Sequence, residues 1–285
     1  MVNSRSRFAR NIILVENNQF RSSQLTPSVG TLGKRRKAPL PNRRALRPTR
    51  RLTKSNDIVK RAPVSGKLTR NLNQIHEMKI IDVENWNRKE HFNFFSKMAS
   101  PYFGIVTEVN CTKAYDIAKE NGYSFFAYYL HKSMIAVNVV EELKYRIVND
   151  NVVSFPVINA GATIGREDGT FGFIFVHFSS DFQAFNAELQ KEILSVQNSK
   201  GLRLNDDDIK KDLIRHSTIP WTSFSGLLHP TNFTQDESVP KITFGKFSMR
   251  DGQKYLPVSI EAHHGLVDGF HLAKYLTEFQ NQLDK

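Results

Sequence analysis

Two histidines stand side by side ahead of a glycine in the run Glu261-Ala262-His263-His264-Gly265-Leu266-Val267-Asp268-Gly269-Phe270. Such a group suits proton transfer, because imidazole titrates near neutral pH and can take the proton of an alcohol or thiol that is otherwise a poor nucleophile. Taken alone, a histidine of this kind is more often a satisfied core residue, and Asp268 an ordinary turn former. No metal is expected here. Neighbours on a strand point to opposite faces, so His263 and His264 do not easily share one zinc ion.

The elements that must hold these residues are legible on either side. Leu256 to Ile260 alternates as a strand leading into the pair, and Phe270 to Phe279 has the apolar spacing of a helix leading away from it. Upstream, Met78 to Val83, Gly104 to Val109, Gly161 to Ile164 and Phe171 to Phe178 read as strands. Arg88 to Met98, Thr112 to Glu120, Ser124 to Leu143 and Phe182 to Gln197 read as helices. The long apolar helix offers Phe126, Tyr129, Leu130, Ile135 and Val139 to a core. Two hairpins are expected, Tyr145–Val148 with Val152–Phe155 about Asn149-Asp150-Asn151, and Lys241–Phe247 with Tyr255–Ala262 about Asp251-Gly252. Strands and helices mix without regular βαβ alternation, which favours an α/β (α+β) two-layer sandwich on a mixed sheet.

Charge divides the chain. Residues 1–77 hold 18 Lys and Arg against 3 Asp and Glu, a balance of +15, and the remaining 22 basic and 25 acidic residues leave 78–285 at −3. The basic total of +12 therefore says little about the domain. Lys34-Arg35-Arg36-Lys37, Arg43-Arg44 and Arg50-Arg51 lie among prolines with little apolar periodicity, so 1–77 is expected to be a disordered basic extension. It reads as an upstream extension without function, as a transit-type segment, or as a nonspecific binder of nucleic acid or an anionic surface. The single cysteine, Cys111, excludes an internal disulfide and fits a reducing compartment. No apolar run approaches the ~20 residues of a membrane span, so no membrane partner is expected.

The His263-to-His271 run resembles the active-site signature of the chloramphenicol acetyltransferases. Trp86-Asn87-Arg88-Lys89-Glu90-His91-Phe92, Pro220-Trp221-Thr222-Ser223-Phe224 and Thr243-Phe244-Gly245-Lys246-Phe247 resemble further segments of that family in the same order, over essentially Met78 to Lys285. The resemblance implies a chloramphenicol-acetyltransferase-like catalytic domain at 78–285. It also implies a cytoplasmic homotrimer with active sites at subunit interfaces, acetyl-coenzyme A as co-substrate, chloramphenicol as acceptor, and antibiotic resistance as the outcome.

Acetyl transfer from a thioester to an alcohol needs a base for the hydroxyl proton and a donor for the tetrahedral oxyanion. By resemblance His264 is the base, Ser217 the oxyanion donor, and Thr243 a helper through a bound water. Asp268 pairs with Arg88 to hold the histidine loop, since a buried carboxylate needs such a partner. Phe94 and Phe95 match residues lining the acceptor pocket, and Phe247 matches an aromatic that packs on the coenzyme's adenine. The chain departs from the family at Ser225-Gly226-Leu227-Leu228-His229-Pro230-Thr231, where an aromatic and an Asn-rich strand are usual. Pro101 stands where the family pocket has a cysteine. An acetyltransferase with another hydroxyl acceptor is therefore the nearer rival, and a nucleic-acid-binding protein acting through the tail the more distant one.

Overall fold

The computed structural model describes residues 78–204, 210–231 and 237–285. The expected basic extension at 1–77, with its alternative roles, lies outside the described residues. In chain order the elements are β1 (Lys79–Ile80), α1 (Lys89–Phe95), β2 (Tyr102–Asn110), α2 (Thr112–Glu120), α3 (Phe125–Val139), β3 (Tyr145–Val148), β4 (Asn151–Ser154) and β5 (Asn159–Gly165). They continue with β6 (Phe171–Val176), α4 (Phe182–Gln197), β7 (Leu213–Ile219), β8 (Lys241–Gly245), β9 (Ser248–Arg250), β10 (Gln253–His263) and α5 (Gly269–Leu283).

The main sheet runs β2-β10-β8-β7-β5-β6, with β9 also paired to β10. β5, β7 and β8 are parallel neighbours, and the other pairs are antiparallel. This is the mixed sheet of the expected two-layer α/β sandwich. One face carries Ala160, Ala162, Ile174, Ile214, Ile242, Phe244, Val258, Ile260 and Ala262, all buried in one apolar core with Leu130 and Met134 of α3 and Leu272, Tyr275 and Phe279 of α5. The register fixes the opposite face as well. Residues that pair across strands share a face, so Arg215, Ser217, Lys241, Thr243, Ser259 and Glu261 lie together away from the helices.

Local chemistry explains the boundaries. Asn149 and Asp150 both have positive φ, 49° and 61°, as do Asp251 and Gly252, 50° and 74°. These are the two-residue turns whose twist matches a hairpin. The second turn joins β10 to the short β9, a correction to the expected pairing of an unbroken 241–247 strand about it. Pairing shifts from Phe244 opposite Val258 to Ser248 opposite Tyr255, so one extra residue is accommodated near Gly245 to Phe247 and the strand breaks. A Cβ at Gly245 would come within 2.9 Å of the Phe224 ring, which needs the bare backbone there.

The long helix also ends earlier than its apolar run suggests. Asn138 donates to the Ile158 carbonyl at 2.9 Å and accepts from the Ile158 amide at 2.8 Å, tying the helix end to the start of β5. Val140 is extended, and Glu141–Lys144 forms a separate 3-10 turn. Val139, expected in the core, is 62% exposed as a result. Arg146, fully buried, donates to the carbonyls of Leu143, Tyr145, Lys211 and Leu213, at 2.7–2.8 Å. It thereby fastens the small β1-β4-β3 sheet to β7, a role for a buried cation with no signal in the hydrophobic pattern.

Candidate active site

His264 follows the last residue of β10, and several short bonds shape the turn that carries it. Its amide donates to the Pro101 carbonyl at 2.8 Å, while the amides of Leu266 and Val267 fold back to the His263 carbonyl. A side chain at Gly265 would be tight, since a Cβ would stand 3.0 Å from the His263 ring. The His264 ring is held on both faces: Phe95 stacks at 3.9 Å between centroids and 14° between planes, and Phe103 at 4.1 Å and 28°. Nδ1 lies 3.1 Å from the Val267 carbonyl. A carbonyl can only accept, so Nδ1 carries the hydrogen and Nε2 the lone pair. In the neutral ring this leaves the basic lone pair on Nε2.

Arg88 precedes α1 and brackets the same turn. Nη1 donates to Asp268 Oδ2 at 2.6 Å, and Nη2 donates to the His264 carbonyl at 3.2 Å, so one guanidinium spans both ends of residues 264–268. Burial pushes the Asp268 carboxyl up, but the Arg88 hydrogen bond and the charges of His271 and Arg88 outweigh that and hold it below its ordinary value. Asp268 also caps α5, accepting from the Phe270 amide at 3.0 Å, while its own amide donates to His271 Nδ1 at 3.0 Å. It makes no bond to the His264 ring.

His263 points the other way. Its Nδ1 accepts from the Gly265 amide at 3.1 Å, its ring meets Tyr102 edge-on at 6.1 Å, and burial lowers its pKa to about 4. It is a neutral packing residue. Phe94 is exposed and lies edge-on to Phe95 at 5.1 Å. Phe247 is half-buried against Tyr115 and Phe125 at 5.2 and 6.2 Å.

Ser217 and Thr243 are brought together but kept away from His264 in the same chain. They are register partners on β7 and β8, and Thr243 is opposite Ser259 on β10. Four residues of strand separate the Ser259 and His263 rungs, about 13 Å at roughly 3.3 Å per residue. The single chain thus holds two separate groups linked by β10: a histidine end and a hydroxyl face.

The hydroxyl face holds a pair of residues that the sequence reading did not assign. His229 lies between Thr243 and Glu261, with Nε2 at 2.7 Å from Thr243 Oγ1 and Nδ1 at 2.8 Å from Glu261 Oε1. The available signals were a His-Pro turn in the segment that departs from the family pattern, and a carboxylate between Ile260 and Ala262 on β10.

A family profile described as chloramphenicol acetyltransferase matches residues 76–280. The chloramphenicol acetyltransferase of Campylobacter coli is 28% identical over 207 residues, covering 72% of this chain and 98% of its own length. One from Staphylococcus aureus is 28% identical over 218 residues, covering 72% and 95%. A solved chloramphenicol acetyltransferase structure superposes with a TM-score of 0.68 at 31% identity, over 72% of this chain and 99% of that one. A probable dihydrolipoamide acetyltransferase from Listeria monocytogenes, 14% identical with a TM-score of 0.50 over 79% of this chain and 94% of its own, shares the fold alone. The profile spans the histidine turn, the hydroxyl face and the sheet that joins them, and with these relatives it shows that the chain belongs to the chloramphenicol acetyltransferase family.

Proposed function

We propose that the chain is an acetyl-coenzyme A-dependent O-acetyltransferase that acetylates the primary hydroxyl of chloramphenicol, and so confers resistance to it, in the cytoplasm. The observation that carries this reading is the His264 ring, clamped between Phe95 and Phe103 with Nδ1 committed to the Val267 carbonyl. A base fixed in one tautomer spends nothing on finding its orientation during the reaction.

In the reaction Nε2 of His264 removes the proton of the acceptor's hydroxyl, and that oxygen attacks the thioester carbonyl carbon. The tetrahedral oxyanion accepts a hydrogen bond from the Ser217 hydroxyl, with Thr243 beside it. Collapse breaks the carbon–sulfur bond, and the coenzyme thiolate leaves with the proton returned by His264. No acyl-enzyme is needed. Arg88 and Asp268 hold the turn. Phe94 and Phe95 border the acceptor, and Phe247 offers a ring to the adenine.

Since about 13 Å of strand separates the two half-sites in one chain, His264 of one copy works with Ser217 and Thr243 of a neighbour, in a homotrimer. Trp221, 80% exposed in the single chain, and Leu228, 95% exposed, flank the hydroxyl face and are suited to burial in such an assembly. No helix of the described residues is long and apolar enough to cross a membrane.

The test is release of coenzyme A from acetyl-coenzyme A with chloramphenicol, wild type against His264→Ala. Turnover that collapses in the variant supports both reaction and base. A folded wild type that binds acetyl-coenzyme A but does not acetylate chloramphenicol refutes the acceptor. The second reading, another hydroxylated acceptor, then takes its place. It draws on the polar His229–Glu261 pair in a segment where the family has an aromatic and asparagines.

A further inference from the structure

We infer that His229, anchored by Glu261, is a positioning residue for Thr243: it draws the Thr243 hydroxyl hydrogen onto its own Nε2 and leaves Thr243 able only to accept. The inference rests on the reaction proposed above for its kinetic consequence, but the hydrogen-bond assignment needs only the geometry and a neutral imidazole.

Hydrogen-bond accounting decides the direction. An ionised carboxylate only accepts, so the contact of 2.8 Å between Glu261 Oε1 and His229 Nδ1 requires the hydrogen on Nδ1. In the neutral ring Nε2 then has a lone pair and no hydrogen. The contact of 2.7 Å to Thr243 Oγ1 can only be O–H donating to N. The opposite tautomer would set the Nδ1 lone pair against the carboxylate. Thr243 is wholly buried and has one hydrogen, so this bond uses all of its donor capacity.

The fold builds the array at several points. Glu261 pairs across β2 with Gly104, where a Cβ would stand 2.8 Å from the Glu261 Cγ, so glycine makes room for the carboxylate side chain. Lys241, the register partner of Glu261 on β8, donates to the Pro230 carbonyl at 3.1 Å and to Thr231 Oγ1 at 2.6 Å, pinning the segment just after His229. Imidazole and carboxylate are both mostly shielded from solvent.

The consequence is a division of labour between neighbouring hydroxyls. Ser217 keeps a hydrogen to donate to the oxyanion. Thr243, closed to solvent, keeps lone pairs only and orients a donor buried with it, such as a water.

Two measurements on the full-length chain test this. The first is a long-range proton–nitrogen correlation spectrum of the imidazoles at mildly alkaline pH, with His229 assigned by its loss in His229→Leu. A hydrogen on Nδ1 and a bare Nε2 supports the assignment, while a hydrogen on Nε2, alone or with Nδ1, overturns it. The spectrum does not depend on turnover, so it still decides if the proposed reaction fails. The second is kinetic, with acetyl-coenzyme A and chloramphenicol. His229→Leu is expected to lower kcat about tenfold with KM for acetyl-coenzyme A within about twofold. Glu261→Leu should follow it, and Glu261→Gln, whose amide oxygen still accepts from Nδ1, should lose less. Adding His229→Leu to Thr243→Val should cost nothing further, because the hydroxyl that His229 orients is already gone. Equal losses in Glu261→Leu and Glu261→Gln, or multiplying losses in the double variant, defeat the positioning role. The Glu261 pair carries the kinetic test if His229→Leu does not fold.

Discussion

The two ends of the candidate site are linked by one strand, β10, and are built in opposite ways. The histidine end is made mostly from residues adjacent in sequence: His263 to His271 supply the ring, the carbonyl that fixes its tautomer and the cap of α5, with Arg88 added from just before α1, Phe95 from its last position and Phe103 from β2. The hydroxyl face is made from distant residues. Ser217, His229, Thr243 and Glu261 come from three strands and a loop, and meet only because the sheet is in register. A local turn can carry a recognisable motif through much divergence. A face assembled across strands can change its partners one residue at a time.

The largest effect expected from that contrast is at the histidine end. His264→Ala should lower kcat with chloramphenicol by at least about 10²- to 10⁴-fold, the range of a positioned general base, with acetyl-coenzyme A affinity little changed by equilibrium binding. Breaking the clamp should do less. Arg88→Leu leaves Asp268 Oδ2 and the His264 carbonyl without their donor. Loss of a charge-assisted bond suggests about 1–3 kcal/mol of stability, readable by urea unfolding, with a roughly 10- to 100-fold fall in kcat as the ring loses its fixed position. Gly104→Ala sharpens the other side. Its Cβ would meet both the Ile260 carbonyl oxygen and Glu261 Cγ at 2.8 Å. We expect about 1–3 kcal/mol of destabilisation, with kcat moving toward that of Glu261→Leu.

The smallest effect, per unit of pH, is a stability slope. Burial holds the pKa of both His263 and His216 at about 4, against an ordinary 6.5. Between those values the unfolded chain binds protons that the folded one refuses. The stability present above pH 6.5 is therefore lost as pH falls toward 4, with a slope approaching about 1.4 kcal/mol per pH unit for each histidine. Urea unfolding at intervals across this window measures it. A flat profile there would mean that His263 and His216 are not neutral packing residues.

The contrast between the two ends also explains how much could be read in advance. Strand alternation up to Ile260, the helix after Asp268 and the turn signals Asn149-Asp150 and Asp251-Gly252 follow from local chemistry, and the corresponding elements are in the fold. Where a local pattern met a tertiary demand, the tertiary demand won. Asn138 stops α3 by bonding to Ile158, twenty residues away, and turns Val139 outward. The shift in pairing near Gly245 to Phe247 splits a strand that looks continuous in composition. Arg146 and its carbonyl partners left no periodic trace, because its partners are backbone groups that any residue supplies.

By itself the sequence determined the class of the fold, the family, and the presence of a histidine turn closed by Asp268, since these depend on patterns a few residues long. Only the tertiary structure decided that His264 Nδ1 meets the Val267 carbonyl, that Arg88 bridges both ends of its turn, and that His229 stands between Glu261 and Thr243. A tautomer is set by whichever acceptor lies within about 3 Å of a ring nitrogen. That acceptor is chosen by strand register and chain reversal, which bring together residues with no proximity in the sequence.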